Sequence, residues 1–102
     1  MKKNLLITAL QSEGKRQLLR IYLFGSFLSS DSYFDVDVLI VFSSRIYSMV
    51  DMLSYRNFIR TNFLQRFGVQ MDILLLTENE AENNNFIEEE GCVDVSSLTI
   101  ES

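Results

Sequence analysis

Apolar positions recur along this chain with two periods, and the changes between them mark out its elements. Near the start, Leu5, Leu6, Ala9 and Leu10 share one helical face, which predicts a helix from about Lys3 to Glu13 with Gly14 as its stop. Leu18 to Phe24 is rich in Ile, Tyr, Leu and Phe and predicts a strand. Gly25 suits a tight turn, Ser26 opens a short helical turn, and Ser29 to Ser32 is a polar loop. Asp35 to Phe42 predicts a second strand, followed by a turn at Ser43-Ser44.

Beyond that turn the period lengthens. Met52, Tyr55, Ile59, Phe63 and Phe67 recur at spacings of three or four, which predicts a helix from about Tyr47 to Phe67 with a core-facing stripe, closed by Gly68. Val69 to Leu76 is almost wholly apolar and predicts a third strand. Thr77, with Glu80 three residues later, has the form of a capping box for a last helix reaching Glu90 before Gly91; Asn83-Asn84-Asn85 is where that helix would break. Cys92 to Ser102 adds a short strand through Val93 and Val95 or lies loose. The chain has no repeats and no proline.

Three acids interrupt the apolar pattern. Side chains alternate across a strand, so Asp35 and Asp37 project together while Val36, Val38 and Ile40 point the other way. Asp72 lies inside the third strand-like run, where Asp is uncommon. Alone, Asp35 and Asp37 read equally well as solvated residues at a strand edge. If the third strand lies beside the second, the three carboxylates converge; repelling one another, they call for a hard divalent ion such as Mg²⁺. Asp72 has the alternative of pairing with Arg20 or another cation. Gly25-Ser26 upstream supplies a turn whose backbone N–H groups favour phosphate.

Phe24-Gly25-Ser26, then Asp35-Val36-Asp37, then Met71-Asp72-Ile73, in that order and each on its expected strand, resemble the signature of the DNA polymerase β-type nucleotidyltransferase superfamily, in particular its minimal nucleotidyltransferase branch. The resemblance covers roughly Leu18 to Thr77. The spacer Phe27 to Phe34 is shorter than is usual in that branch, lacks its Arg and Gly, and places Phe34 where Ser often precedes the first acid. The resemblance implies one minimal domain over residues 1–102, with an α/β (α+β) fold in which helices pack mainly on one face of a small mixed sheet. It implies Mg²⁺- or Mn²⁺-dependent transfer of a nucleoside monophosphate, most often AMP from ATP, to an acceptor hydroxyl. Asp35, Asp37 and Asp72 would be the catalytic and metal-binding residues; Gly25 and Ser26 would seat the phosphates. It further implies a partner, either a HEPN-type toxin that this chain would silence as antitoxin or a second copy in a homo-oligomer. Two rival readings stay open: a degenerate, non-catalytic module acting by contact, and a nucleotide sensor.

Composition narrows these readings. The chain has 102 residues, 47% hydrophobic and 23% charged, enough for one modest core. It has no His, so Ser26 has no histidine base and His-ligated zinc is excluded. The net charge of −5 gives no overall basic footprint for direct nucleic-acid binding. A single cysteine, Cys92, points to a reducing cytoplasm. The N-terminal apolar run is too short, and lacks the cleavage site, for a signal peptide, and no segment is long enough to span a membrane.

The remaining candidates carry bland readings beside sharper ones. Arg56 and Arg60, one helical turn apart, reach a triphosphate or an acidic partner, or are a solvated face. Phe27, Tyr33 and Phe34 stack a base or pack in a core or interface; Asp31 assists the site or makes a turn. The acidic run Glu78 to Glu90 reads as solvated helix surface.

Overall fold

The computed structural model describes residues 3–30 and 35–99. Its elements run α1 (Lys3–Gln17), β1 (Arg20–Phe24), α2 (Ser26–Ser29), β2 (Asp35–Phe42), α3 (Met49–Phe67), β3 (Gln70–Thr77), α4 (Glu78–Asn83), α5 (Phe86–Glu89) and β4 (Val93–Asp94), with a 3₁₀ turn at Val95–Ser97. The sheet is mixed, in the order β3-β2-β1-β4. β1 pairs antiparallel with β2 and with β4, while β2 and β3 are parallel, joined by the crossover helix α3. This is an α+β arrangement on a small mixed sheet, the fold that the resemblance implies.

Strand alternation divides the core. On one face Ile21, Leu23, Val36, Val38, Ile40, Phe42, Met71, Ile73 and Leu75 meet α1 through Leu6 and Leu10, α2 through Phe27, and α3 through Met52, Ile59 and Phe63. On the other face Tyr22, Leu39, Val41 and Leu76 pack beneath Ala81 of α4 and Phe86 and Ile87 of α5. The two long helices thus occupy one face, and the short α4 and α5 cover part of the other.

Local chemistry sets the helix ends. Ser48 and Asp51 close a reciprocal capping box at the start of α3, and Gly68, left-handed at φ 68°, ends it. Thr77 and Glu80 form the same box at the start of α4. The last helix does break at the asparagines, giving α4 and α5 as separate short pieces. Gly14 does not stop α1. The helix continues to Gln17, and Leu18 takes the left-handed turn at φ 57° while the Leu19 N–H reaches back to the Gly14 carbonyl. Gly14 instead allows close packing, since a Cβ there would stand 3.1 Å from the Leu19 carbonyl oxygen. Leu5, expected on the buried face, is exposed, and Glu13 is buried instead.

Glu13 has partners. The Tyr55 hydroxyl donates to Glu13 Oε1 at 2.8 Å, and Arg16 forms an ion pair with its other oxygen. The tail is fastened to α1 by Gln11, whose Nε2 donates to the carbonyls of Val95 (2.8 Å) and Leu98 (3.1 Å). Among the described residues no helix is long and apolar enough to cross a membrane.

Candidate functional site

The parallel register aligns Asp37 with Asp72 and Asp35 with Gln70. Residues aligned in a parallel pair project to the same face, so Asp35, Asp37 and Asp72 share one face of the sheet. That face is opposite α1 and α3. The acids stand at the N-terminal ends of β2 and β3, beside the C-terminal end of β1, where Phe24 is opposite Asp37.

The Phe24-Gly25-Ser26 turn closes over Asp37. Gly25 has φ 76° and ψ −156°, a conformation that side-chain-bearing residues rarely adopt. A Cβ built on Gly25 would overlap Asp37 Oδ2 and stand 3.2 Å from its Cγ, so the backbone approaches the carboxylate as closely as glycine permits. Ser26, the first residue of α2, is exposed at the rim. The turn is braced from behind. Phe27 is fully buried, the Lys3 ammonium donates to the Phe27 and Ser30 carbonyls, and it lies 4.8 Å from the Phe27 ring centroid.

Electrostatically the site is an unbalanced cluster of like charge. Asp37 is half-buried, and its carboxyl is held above the ordinary carboxylate range by burial first, then by the charges of Asp72, Asp35 and Glu90. No ion pair reaches Asp35, Asp37 or Asp72 among the described residues. The Arg20 alternative fails because Arg20 is aligned with Val41, four positions along β2 from Asp37, about 13 Å away.

Glu90 is a member of this cluster that the sequence pattern hides. It reads as part of a solvated acidic run, and its side chain is exposed. Phe86 packs edge-on against Phe24 with ring centroids 5.2 Å apart, which seats α5 beside the Gly25 turn and brings Glu90 within the field of Asp37. The Cys92 thiol is likewise pushed up, by burial and then by Glu90.

Other candidates take the bland reading. Phe27 is core and not a base-stacking platform. Arg60 Nε donates to the Met71 carbonyl at 3.3 Å on the α3 side of the sheet, and Arg56 lies one turn away on the same helix, so neither belongs to the acid face. Asp31, Tyr33 and Phe34 lie outside the described residues.

The site therefore combines three oxygen-donor side chains, no neutralising cation among the described residues, and a glycine turn set against the central carboxylate. A hard divalent cation fits this donor chemistry. Among the described residues, however, no group of three or more Asp, Glu, Cys or His side chains is drawn together tightly enough to hold an ion jointly. The family model for the nucleotidyltransferase domain matches residues 3–94.

The chain belongs to the nucleotidyltransferase domain family.

The match spans α1 through β4, so the acids and the Gly25 turn both fall within it. Searches of curated proteins and of solved structures returned no match. Membership carries the general chemistry of the family: nucleotidyl transfer from a nucleoside triphosphate, generally with divalent metal ions.

Proposed function

We propose that this nucleotidyltransferase chain transfers AMP from ATP to an acceptor hydroxyl, with Mg²⁺ or Mn²⁺ held by Asp35, Asp37 and Asp72. The observation that carries the reading is the alignment of Asp37 with Asp72 on the face that also bears Asp35, beneath the Gly25 turn. Asp35 and Asp37 serve as metal ligands, while Gly25 and Ser26 seat the nucleotide phosphates. Asp72 would hold the metal nearer the attacking hydroxyl and help activate it. Gly25 allows close approach of a phosphate to backbone, and Ser26 offers an exposed hydroxyl at the rim. When bound, the metal supplies charge neutralisation for the transferred phosphoryl group and acidifies the attacking hydroxyl.

The acceptor proposed is a hydroxyl on a HEPN-type partner protein, with this chain as the antitoxin of the pair, residues 1–102 acting as one minimal domain in the cytoplasm. Incubation with labelled ATP, Mg²⁺ and the candidate partner tests this. Label should pass to the partner, Asp37→Ala or Asp72→Ala should abolish transfer, and Ser26→Ala should reduce it less, because the backbone donors remain. Full transfer by Asp37→Ala would overturn the assignment. The second reading, a non-catalytic module acting by contact, is favoured by the shortened spacer Phe27 to Phe34 and opposed by the intact triad of acids. Under that reading the Asp variants neutralise the partner as well as wild type does. A nucleotide sensor would instead bind ATP without transferring label.

A further inference from the structure

β3 is an edge strand of eight residues, and among the described residues its outer side has no neighbour in the sheet. The Arg60 Nε bond to the Met71 carbonyl shows which way the strand's groups face. With that carbonyl turned away from β2, alternation turns the N–H and C=O groups of Ile73 and Leu75 outward as well. Among the described residues, no side chain other than Arg60 reaches this edge. β3 holds no Pro and no Lys, and among the described residues no strand pairs with its outer side; the charges at this strand are Asp72, on the face away from α3, and Arg60, which meets it at Met71.

The helix above the edge is also unpartnered. Val50, Leu53, Asn57, Arg60 and Leu64 follow one another at alternating steps of three and four, the spacing of a helix–helix seam, and Arg60 fixes that seam on the β3 flank. Its apolar members are solvent-facing: Val50 is 73% exposed, Leu64 47% and Leu53 39%. The Nε of Arg56, on the same flank, is buried without a hydrogen-bond partner.

We propose that two copies of this chain associate through this edge, β3 against β3 in antiparallel register about a two-fold axis normal to the sheet. This goes beyond the transfer reading and does not depend on it. The outward residues Met71, Ile73 and Leu75 are centred on Ile73, so the axis pairs Ile73 with its own copy and Met71 with Leu75. From the Arg60–Met71 contact, two residues along β3 advance about 6.6 Å, and three to four residues back along α3 about 4.5–6 Å. The Arg56–Asn57 step is therefore within about 2 Å of the level of Ile73, and the axis that closes the strands also brings the two α3 seams together near Asn57.

Charge selects a second copy as the occupant. All nine Lys and Arg residues lie at or before Arg66, while residues 67–102 hold nine of the fourteen acids and no base. Antiparallel pairing sets Arg60, anchored at Met71, opposite Leu75 of the second copy, three residues before its Glu78. Each copy thus brings its basic helix flank to the acidic end of the other's β3, and does so twice by symmetry.

Sedimentation of the full chain over a range of concentrations tests the proposal, together with amide hydrogen exchange. Wild type should be dimeric at micromolar concentration, with exchange at Ile73 and Leu75 slowing as concentration rises. Val50→Glu/Leu64→Glu, which alters only exposed positions, should keep the wild-type circular dichroism. It should weaken dimerisation by roughly tenfold or more and remove the concentration dependence of exchange. A monomeric wild type, a dimer of unchanged affinity in the double variant, or concentration-independent exchange at Ile73 and Leu75 would each overturn it. A heterologous protein captured on this edge in place of a second copy would also overturn it.

Discussion

Replacing Gly25 by Ala separates two costs that coincide at the centre of the site. The first is conformational: at φ 76° and ψ −156° an L-residue occupies a region almost reserved for glycine, worth about 1–3 kcal/mol. The second is steric and electrostatic, because the new methyl group overlaps Asp37 Oδ2. Asp37 also feels the charges of Asp72, Asp35 and Glu90, which oppose its own wherever the methyl group displaces it toward them. Together these should destabilise the protein by about 2–4 kcal/mol, or roughly 10–20 °C in thermal midpoint for a domain of this size. Gly68→Ala is the control. It too has a positive φ, but nothing lies within 4 Å of its added Cβ, so it should cost only about 1 kcal/mol. Urea unfolding of Gly25→Ala, Asp37→Ala and the double variant completes a cycle in which the steric share of the Gly25 cost disappears once Asp37 is gone. A Gly25→Ala protein no less stable than Gly68→Ala, or a Gly25 cost unchanged in the Asp37→Ala background, would refute the reasoning.

Four further outcomes are expected. Mg²⁺ or Mn²⁺ should raise the thermal midpoint of wild type and have little effect on Asp35→Asn/Asp37→Asn; an equal shift in the double variant would place the ion elsewhere. Because the folded Asp37 carboxyl sits above its ordinary 3.8, the native state keeps that proton longer than the unfolded chain, and stability contributed by the protonated form is lost as pH rises through the raised value. Asp37→Asn should therefore stabilise the metal-free protein at neutral pH and lose its advantage as pH falls below about 3.8; a gain independent of pH would contradict this. Tyr55→Phe strips a hydrogen bond from the buried Glu13 carboxylate and should cost about 1–3 kcal/mol in urea unfolding. The Tyr55 hydroxyl, pushed up to about 12 by burial, should keep that bond through the alkaline range below it, so a spectroscopic phenolate signal from Tyr55 near pH 10 would contradict the buried geometry.

Where one local rule decides a structure, the sequence was readable. β2 begins at Asp35 and ends at Phe42 as alternation and the serine turn require. Gly68 ends α3, and Thr77 with Glu80 starts α4. The common face of Asp35, Asp37 and Asp72 follows from period-two alternation plus one tertiary fact, the parallel register of β2 and β3. Features set by tertiary contact were not readable. Gly14 looks like a helix stop, but its missing side chain serves the packing of α1 on Leu19, and the left-handed turn falls to Leu18. Glu13 looks like a surface residue until Tyr55, far along the chain, supplies its donor. Glu90 joins the acid cluster only because Phe86 finds Phe24.

The parallel pairing of β2 with β3 also orders events in time. β1 and β2 are close in sequence and can meet as a local hairpin, whereas β3 reaches β2 only after the nineteen residues of α3 have folded back across the sheet. Such non-local closure is the slow class of step in folding. It is also the step that sets Asp72 beside Asp37, so mutual repulsion of the acids rises as the chain commits to its topology. Counter-ions should then act as a kinetic aid: salt, which screens exposed charges beyond about 10 Å at 0.1 M, should speed refolding of wild type more than that of Asp72→Asn. Equal salt dependence in the two proteins would place the meeting of β2 and β3 after the rate-limiting barrier, leaving the acids to find one another in a chain already committed to its fold.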